Sequence, residues 1–435
     1  MDYTETIDFL FSSLPMYQRV GKSAYKSDLD TTISLDNHFG NPHRFYKSVH
    51  IAGTNGKGSV SHMLASVFQN AGYKTGLYTS PHLADFRERI RVNGEMISKD
   101  YVSGFVDENK SIIKLLSPSF FEMTAAMAML YFRDKDIDIA IIETGMGGRL
   151  DSTNIVNPEL SVITNIGFDH SRFLGDTLPA IAGEKAGIIK NKVPVVVGEY
   201  TNETRKVFEK RANETGSEIY FASDNFTAHK LDETDDHLKQ CVGVKRKNEV
   251  VFDKLWTDMN GDYQLNNLLT FFQAAELLQD KWRINKTHIQ NGLNSVRTAT
   301  GFSGRWHITG NDPLIICDSG HNVDAIGRTM RHIKKVEREN LHFILGVVND
   351  KDIAGMLDIM PRNARYYFTK ASVPRAMDEN KLRYIAAEYL LEGEAYCSVK
   401  EAYNAAITNA GKNDLVFIGG STFIVADFLI LTDNN

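Results

Sequence analysis

His50-Ile-Ala-Gly-Thr-Asn-Gly-Lys-Gly-Ser59 is the segment on which the reading of this 435-residue chain turns. An apolar run, Val49 to Ala52, leads into a turn that carries Gly53, Gly56 and Gly58. Beyond the turn, Val60, Met63, Leu64, Val67, Phe68 and Ala71 recur at helical spacing, which predicts a helix from about Ser59 to Ala71. A strand–turn–helix of this kind aims successive backbone N–H groups at an anion, and the helix N-terminus adds its positive end. Within it Lys57 is the cation suited to the β- and γ-phosphates of a nucleotide, and Ser59 is a hydroxyl suited to Mg²⁺. The common Walker pattern would place Gly at 51 and Ser or Thr at 58, where Ile51 and Gly58 stand. A ligand-free glycine turn is the competing reading, and the lysine and serine inside the turn weigh against it.

Working outward, short β-branched runs alternate with helical segments, the pattern of a mostly parallel sheet wrapped by helices. Strands are expected at Val49 to Ala52, Thr75 to Thr79, Ile137 to Glu143, Leu160 to Thr164 and Pro194 to Gly198. A second series follows Trp306: Leu314 to Asp318, His342 to Val348, Arg365 to Thr369 and Asp414 to Gly420. Between the series, Asn202 to Val251 is charged and irregular and reads as peripheral. The small-residue stretch Thr298 to Gly304 marks a boundary, giving an ATP-binding domain over 1–298 and a smaller α/β domain over 299–435.

Composition narrows the function. Lys+Arg 49 against Asp+Glu 55 gives a formal charge of −6, which argues against a dedicated nucleic-acid binder. Cys241, Cys317 and Cys397 are scattered and odd in number, so they suggest neither a disulfide framework nor a metal knot. No run of about 18 apolar residues occurs, and the N-terminus lacks the features of a signal peptide. A cytoplasmic monomer that acts on small molecules is the expectation.

Other residues stand where chemistry is done. Glu143 ends an apolar strand and is followed by Thr-Gly-Met-Gly-Gly-Arg-Leu-Asp151. A strand-end carboxylate faces the ligand crevice of an α/β sheet, where Mg²⁺ needs a hard oxygen. Taken alone, His170 reads as a structural histidine and Lys185 as a helix-surface lysine. Arg305 suits a salt bridge, and Asp318 and Ser421 suit helix N-caps. Phe120-Phe121-Glu122 opens a helix through Ala125, Ala126 and Leu130, and its aromatic pair reads as core. The basic run Phe86 to Arg91 alternates along an expected strand and reads as a solvated edge, although it could attract an acidic tail.

Ala52-Gly-Thr-Asn-Gly-Lys-Gly-Ser59 resembles the nucleotide loop of the Mur ligases. Together with the motifs above, the chain from Tyr17 to Phe428 is similar to the folylpolyglutamate synthase/dihydrofolate synthase branch of that superfamily. The resemblance implies a Mur-type P-loop ATPase domain with a C-terminal glutamate-ligase domain. It also implies an ATP-dependent ligase that adds L-glutamate to dihydropteroate and to reduced folates through an acyl phosphate.

By the same resemblance, Thr54, Asn55, Gly56, Lys57, Gly58, Ser59, Asn267, Arg305 and Asp318 hold ATP. Ser59, Ser80 and Glu143 face one Mg²⁺; His170 and a carbamylated Lys185 face a second. His321 of Asp318-Ser-Gly-His321-Asn322 stands near the reacting groups. Phe121, Glu122, Leu150, Asp151 and Ser152 line the acceptor pocket, and Ser421 meets glutamate. The family's His-Gln-x-x-Asn segment becomes Tyr263-Gln-Leu-Asn-Asn267 here, a change that bears on nucleotide packing.

Two rivals remain open on sequence. A cell-wall Mur ligase would need a separate UDP-binding domain, and only about fifty residues precede the loop. A non-catalytic nucleotide switch would hydrolyse ATP regardless of glutamate or folate.

Overall fold

The structure is a computed structural model, and it describes residues 1–15, 28–231, 238–349 and 352–433. Tyr17, where the family resemblance begins, lies outside them. The chain divides into two compact units: Met1–Glu233 with Cys241–Asp258 and Gln264–Gly301, and Thr234–Gln240 with Met259–Tyr263 and Phe302–Asn435.

Among the described residues, the first unit holds an eight-stranded sheet: β1 (Lys47–Ala52), β2 (Thr75–Tyr78), β3 (Ile90–Val92), β4 (Glu95–Met96), β5 (Ile139–Glu143), β6 (Leu160–Ile163), β7 (Val195–Val197) and β8 (Ile219–Phe221). Their order is β4-β3-β2-β5-β1-β6-β7-β8. The strands from β2 to β8 pair in parallel, and β3 and β4 add an antiparallel edge. Strand β1 is central, with Ile51 level with Glu143 and Ala52 level with Ile163. The turn leaving β1 therefore emerges between the ends of β5 and β6, the ligand-binding edge of such sheets. Being covered on both sides, these strands read as continuous apolar runs; β1 and β5 are buried almost throughout.

Helix α1 (Lys57–Asn70) follows the turn, and every residue from Ser59 to Phe68 is buried. Two of its polar members bond to later segments of the chain: His62 Nδ1 meets Thr300 Oγ1 at 2.7 Å, and Ser66 Oγ donates to Gly292 O at 2.8 Å. Helix α2 (Phe120–Asp134) packs its apolar side into the core beneath β2 and β5. Helix α3 (Leu178–Ala186) starts on a Thr177 N-cap with Pro179 in its first turn.

The segment read as irregular and peripheral carries regular structure in its described residues. It holds a helix, Asn202–Thr215, the sheet strand β8 and an antiparallel three-stranded sheet of β9 (Phe226–Leu231), β10 (Gln240–Arg246) and β11 (Glu249–Thr257). These strands mix charged residues with apolar ones and lack the unbroken apolar runs of the central sheet, so periodicity concealed them. The basic run also departs from expectation. Phe86–Arg89 is a 3-10 turn capped by Asp85, and Arg89 is only 5% exposed.

The second unit has a six-stranded sheet of β12 (His307–Asn311), β13 (Leu314–Asp318), β14 (Leu341–Leu345), β15 (Arg365–Thr369), β16 (Gly393–Tyr396) and β17 (Leu415–Gly419). Its order is β12-β13-β17-β14-β15-β16, parallel except for the β12 edge. The register sets Asp318 beside Gly419, so the loops after β13 and β17 leave the sheet side by side. No helix among the described residues is long and apolar enough to cross a membrane.

Candidate active site

The turn between β1 and α1 is pinned on the β6 side. Asn55 N donates to Asn165 Oδ1 at 2.8 Å, and Thr164 Oγ1 donates to Asn55 O at 2.6 Å. Thr54 Oγ1 donates to Gly167 O and accepts from Gly167 N, both at 3.0 Å. Gly56 caps α1 at φ 84°, and a Cβ there would collide with the Asn267 amide oxygen, so the turn needs glycine on two counts. Asn267 thus sits against the turn, held by its own bond to Gln264 Oε1 at 2.7 Å. No side chain caps α1. Its first N–H groups and its dipole form an anion cradle.

Two lysines converge on one backbone oxygen. Lys57 Nζ donates to Gly53 O at 3.0 Å and to Thr54 O at 3.2 Å, while Lys185 Nζ donates to Gly53 O at 2.7 Å. Lys185 is 3% exposed, not the surface lysine that its sequence context suggested. Helix α3 turns it inward, and burial with the nearby Lys57 charge lowers its pKa to about 7. Asp169 and Asp151 pull the other way more weakly.

Glu143 is buried at the end of β5, and its Oε2 accepts from Ser80 N at 3.1 Å. A Cβ on Gly58 would stand 3.8 Å from the same oxygen. Glu143, Ser80 and the first turn of α1, with its buried Ser59, therefore share one neighbourhood. Among the described residues no three His, Cys, Asp or Glu side chains cluster as a metal cage. That donor set still fits Mg²⁺, which takes one or two carboxylates and fills its sphere with water and phosphate oxygens. His170 has a left-handed backbone, φ 51°, at the head of a short helix, with its ring 3.9 Å from Asp169.

The expected acceptor residues gather around the turn after β5. Phe121 closes on Gly145, where a Cβ would come within 2.5 Å of its ring, and it lies 6.0 Å from Tyr78. Leu150 is half-buried and Ser152 is buried. Asp151 accepts four hydrogen bonds: Gly145 N and Met146 N at 2.8 and 2.9 Å, Thr153 N at 3.0 Å and Thr153 Oγ1 at 2.5 Å. Those fill its acceptor sites, so Asp151 holds the turn. Burial raises its carboxyl pKa even so. Thr153 Oγ1 also meets His50 Nε2 at 2.8 Å; since the hydroxyl proton goes to Asp151, His50 is the donor there. Burial lowers the His50 pKa to about 3, so the ring is neutral. Glu122 likewise serves the fold, because its Oε2 accepts from Ser119 N at 2.7 Å and completes a capping box at the start of α2.

In the second unit, Asp318 ends β13 and accepts from Tyr263 OH at 2.6 Å, Trp306 N at 2.8 Å and Gly320 N at 2.8 Å. One acceptor site is left, enough for one hydroxyl donor. It is not an N-cap; Asn322 caps the helix Val323–Ile333 that follows. Tyr263, in the family's histidine position, thus acts on Asp318. His321 Nδ1 lies 3.0 Å from Ser319 O and 3.4 Å from Thr422 Oγ1. Ser421 is buried and accepts from Phe423 N at 3.2 Å, as at a helix start. Arg305 is half-buried, and its Nη1 donates to Gly304 O at 3.1 Å.

Sequence reasoning missed Thr164, Asn165 and Gly167 as clamps of the turn, and the His50–Thr153–Asp151 chain. Such contacts join segments about a hundred residues apart and have no local signature.

Two family models match: the Mur ligase middle domain over residues 51–275 and the Mur ligase glutamate ligase domain over 304–422. A Bacillus subtilis dihydrofolate synthase/folylpolyglutamate synthase is 31% identical, with 93% of this chain and 95% of that protein covered. A probable bifunctional folylpolyglutamate synthase/dihydropteroate synthase of Haloferax volcanii is 30% identical over 98% of this chain, which spans 50% of that protein's length. The solved structure of E. coli FolC in complex with DHPP and ADP superposes with a TM-score of 0.87 at 26% identity, covering 100% of this chain and 98% of that one. The chain belongs to the Mur ligase family, in its folylpolyglutamate synthase/dihydrofolate synthase branch, whose members are ATP-dependent ligases.

Proposed function

We propose that this protein joins L-glutamate to dihydropteroate and to tetrahydrofolate, with ATP activating the acceptor as an acyl phosphate. The observation that carries this reading is the pinned glycine turn with two lysines on one carbonyl, set beside Glu143 at the C-terminal edge of the sheet. In the reaction the acceptor carboxylate attacks the γ-phosphorus and ADP leaves. The glutamate amine then attacks the acyl carbon, phosphate departs with the carboxylate's oxygen, and an amide remains. Lys57 and the N–H groups of the turn hold the phosphates and offset charge as it moves onto ADP. Arg305 is assigned to the same phosphates, Asp318 to the ribose and Asn267 to the nucleotide. The segment 1–298 holds ATP and acceptor, and 299–435 brings glutamate, with Ser421 as a contact and His321 beside the reacting amine.

Ser80, Glu143 and Ser59 would hold one Mg²⁺, and His170 with Lys185 a second. Bound there, the ions supply Lewis-acid stabilisation of the phosphates. Lys185 suits this role as a carbamate, formed when its free amine adds CO₂ and releases a proton. The two lysines on Gly53 O support that assignment, since crowding and burial lower the amine's pKa to about 7 and raise its free-amine fraction. Phe121, Glu122, Leu150, Asp151 and Ser152 frame the acceptor pocket. We take the enzyme to be a cytoplasmic monomer that uses small-molecule substrates, with neither nucleic acid nor membrane as a partner.

ADP release by the purified protein, with glutamate and each acceptor in turn, tests the reading. Release that needs both glutamate and an acceptor supports it. ATP hydrolysis indifferent to both would mark a nucleotide switch instead.

A further inference from the structure

Arg89 presents a problem that the nucleotide site does not solve. It is 5% exposed, yet its side chain makes one hydrogen bond among the described residues, from Nε to His82 Nδ1 at 2.7 Å. The guanidinium otherwise lies over the Phe120 ring at 5.3 Å. Both Nη groups, with four N–H donors, have no partner there, and no carboxylate among the described residues pairs with them. The adjacent Glu88 is committed elsewhere, to Leu83 N, Ala84 N and Asp85 N at 2.7 to 2.9 Å. Glu143 and Glu88 act on Arg89 through space only. A buried cation of this kind is costly without an anion.

The neighbours define what would relieve it. Since Arg89 Nε–H donates to His82 Nδ1, the neutral imidazole carries its hydrogen on Nε2 and is a second donor. Phe11 and Phe86 stand edge-on to that ring at 5.9 and 6.3 Å. The chain also ties this cluster to the metal neighbourhood: Arg89 O accepts from Thr79 N at 3.0 Å, and the next residue, Ser80, binds Glu143.

We infer that Arg89 and His82 form the subsite for the acceptor's carboxylate, one attached to an aromatic ring as in a benzoate. The guanidinium and Nε2–H grip the oxygens while the flanking phenylalanines take the ring, presenting the carboxylate next to Glu143 and Ser80. This rests on the ligase reading above and assigns to Arg89 a positioning role that a solvated edge would not have.

The test compares dihydropteroate with its neutral primary carboxamide, by titration calorimetry on the full chain with a non-hydrolysable ATP analogue. Wild type should bind the acid at least about tenfold more tightly than the amide, the worth of one charge-assisted hydrogen bond. Arg89→Met should bind the acid as weakly as wild type binds the amide, with affinity for the ATP analogue retained. Equal binding of acid and amide by a wild-type protein that ligates dihydropteroate would overturn the subsite alone. A wild type that does not ligate would overturn the ligase reading first. Should Arg89→Met not fold, the wild-type comparison of acid and amide still decides.

Discussion

Lys57 and Lys185 donate to the same oxygen, the carbonyl of Gly53, at 3.0 and 2.7 Å. One lysine opens α1 and the other lies in α3, so the turn brings two like charges together. Lys185 yields, because it is buried and Lys57 is nearer to solvent.

That relationship sets a pH dependence. With its pKa lowered to about 7, Lys185 is mostly free amine at pH 8, whereas an ordinary lysine near 10.4 would be almost wholly protonated. Bicarbonate-stimulated activity should therefore rise from pH 6 to pH 8 and then level. Between about pH 7 and the ordinary lysine range, the unfolded chain binds the extra proton, so stability should climb with pH across that window. Lys185→Ala should lose most activity and regain part of it with added short carboxylates. A flat bicarbonate response from pH 6 to 8, or an unmodified ammonium in a nucleotide complex at neutral pH, would count against the carbamate.

Lys57→Ala should leave the melting temperature within a few degrees and lower kcat by roughly a thousandfold, as expected when charge stabilisation of phosphoryl transfer is removed. Near-normal turnover at saturating ATP would refute the phosphate assignment of the turn.

Gly56→Ala tests the turn's geometry. The new Cβ meets Asn267 Oδ1 in a left-handed backbone, so strain of at least about 1 kcal/mol adds to the clash. ATP affinity measured by calorimetry should fall sharply while acceptor affinity changes less. Unchanged ATP binding would show that the turn does not contact the nucleotide.

Thr153→Val removes the hydroxyl that links His50 to Asp151. Leaving these buried groups unsatisfied should cost about 1–3 kcal/mol in chemical unfolding. With one of its four bonds lost, Asp151 holds the Gly145–Met146 turn against Phe121 less firmly, and KM should rise more for dihydropteroate than for ATP. Equal shifts in both would place the chain of hydrogen bonds outside the acceptor pocket.

The central strands were legible in sequence because burial on both faces leaves unbroken apolar runs, and α1 because its apolar residues recur at helical spacing. Leu314 to Asp318 and Arg365 to Thr369 were read with the bounds that β13 and β15 have, and the ends of the other expected strands lie within three residues of the observed ones. The antiparallel β9–β11 sheet was not legible, since its strands carry charged residues without a regular alternation and draw their partners from one another. Motifs pointed to Glu143, Lys57 and Asp318, but not to their partners. Glu122 and Asp151 carry structural bonds that a motif cannot separate from ligand contacts, because both uses call for a carboxylate. Arg89 shows the reverse: its alternating run suggested solvent, and the 3-10 turn capped by Asp85 buried it.

Isotope transfer tests the acyl phosphate itself. Dihydropteroate labelled with ¹⁸O in its carboxylate, turned over with ATP and glutamate, should yield one ¹⁸O atom in each inorganic phosphate released, matched by one amide formed. Unlabelled phosphate, at the same rate of ADP release, would mean that water and not the acceptor attacks ATP, and the ligase mechanism would not stand.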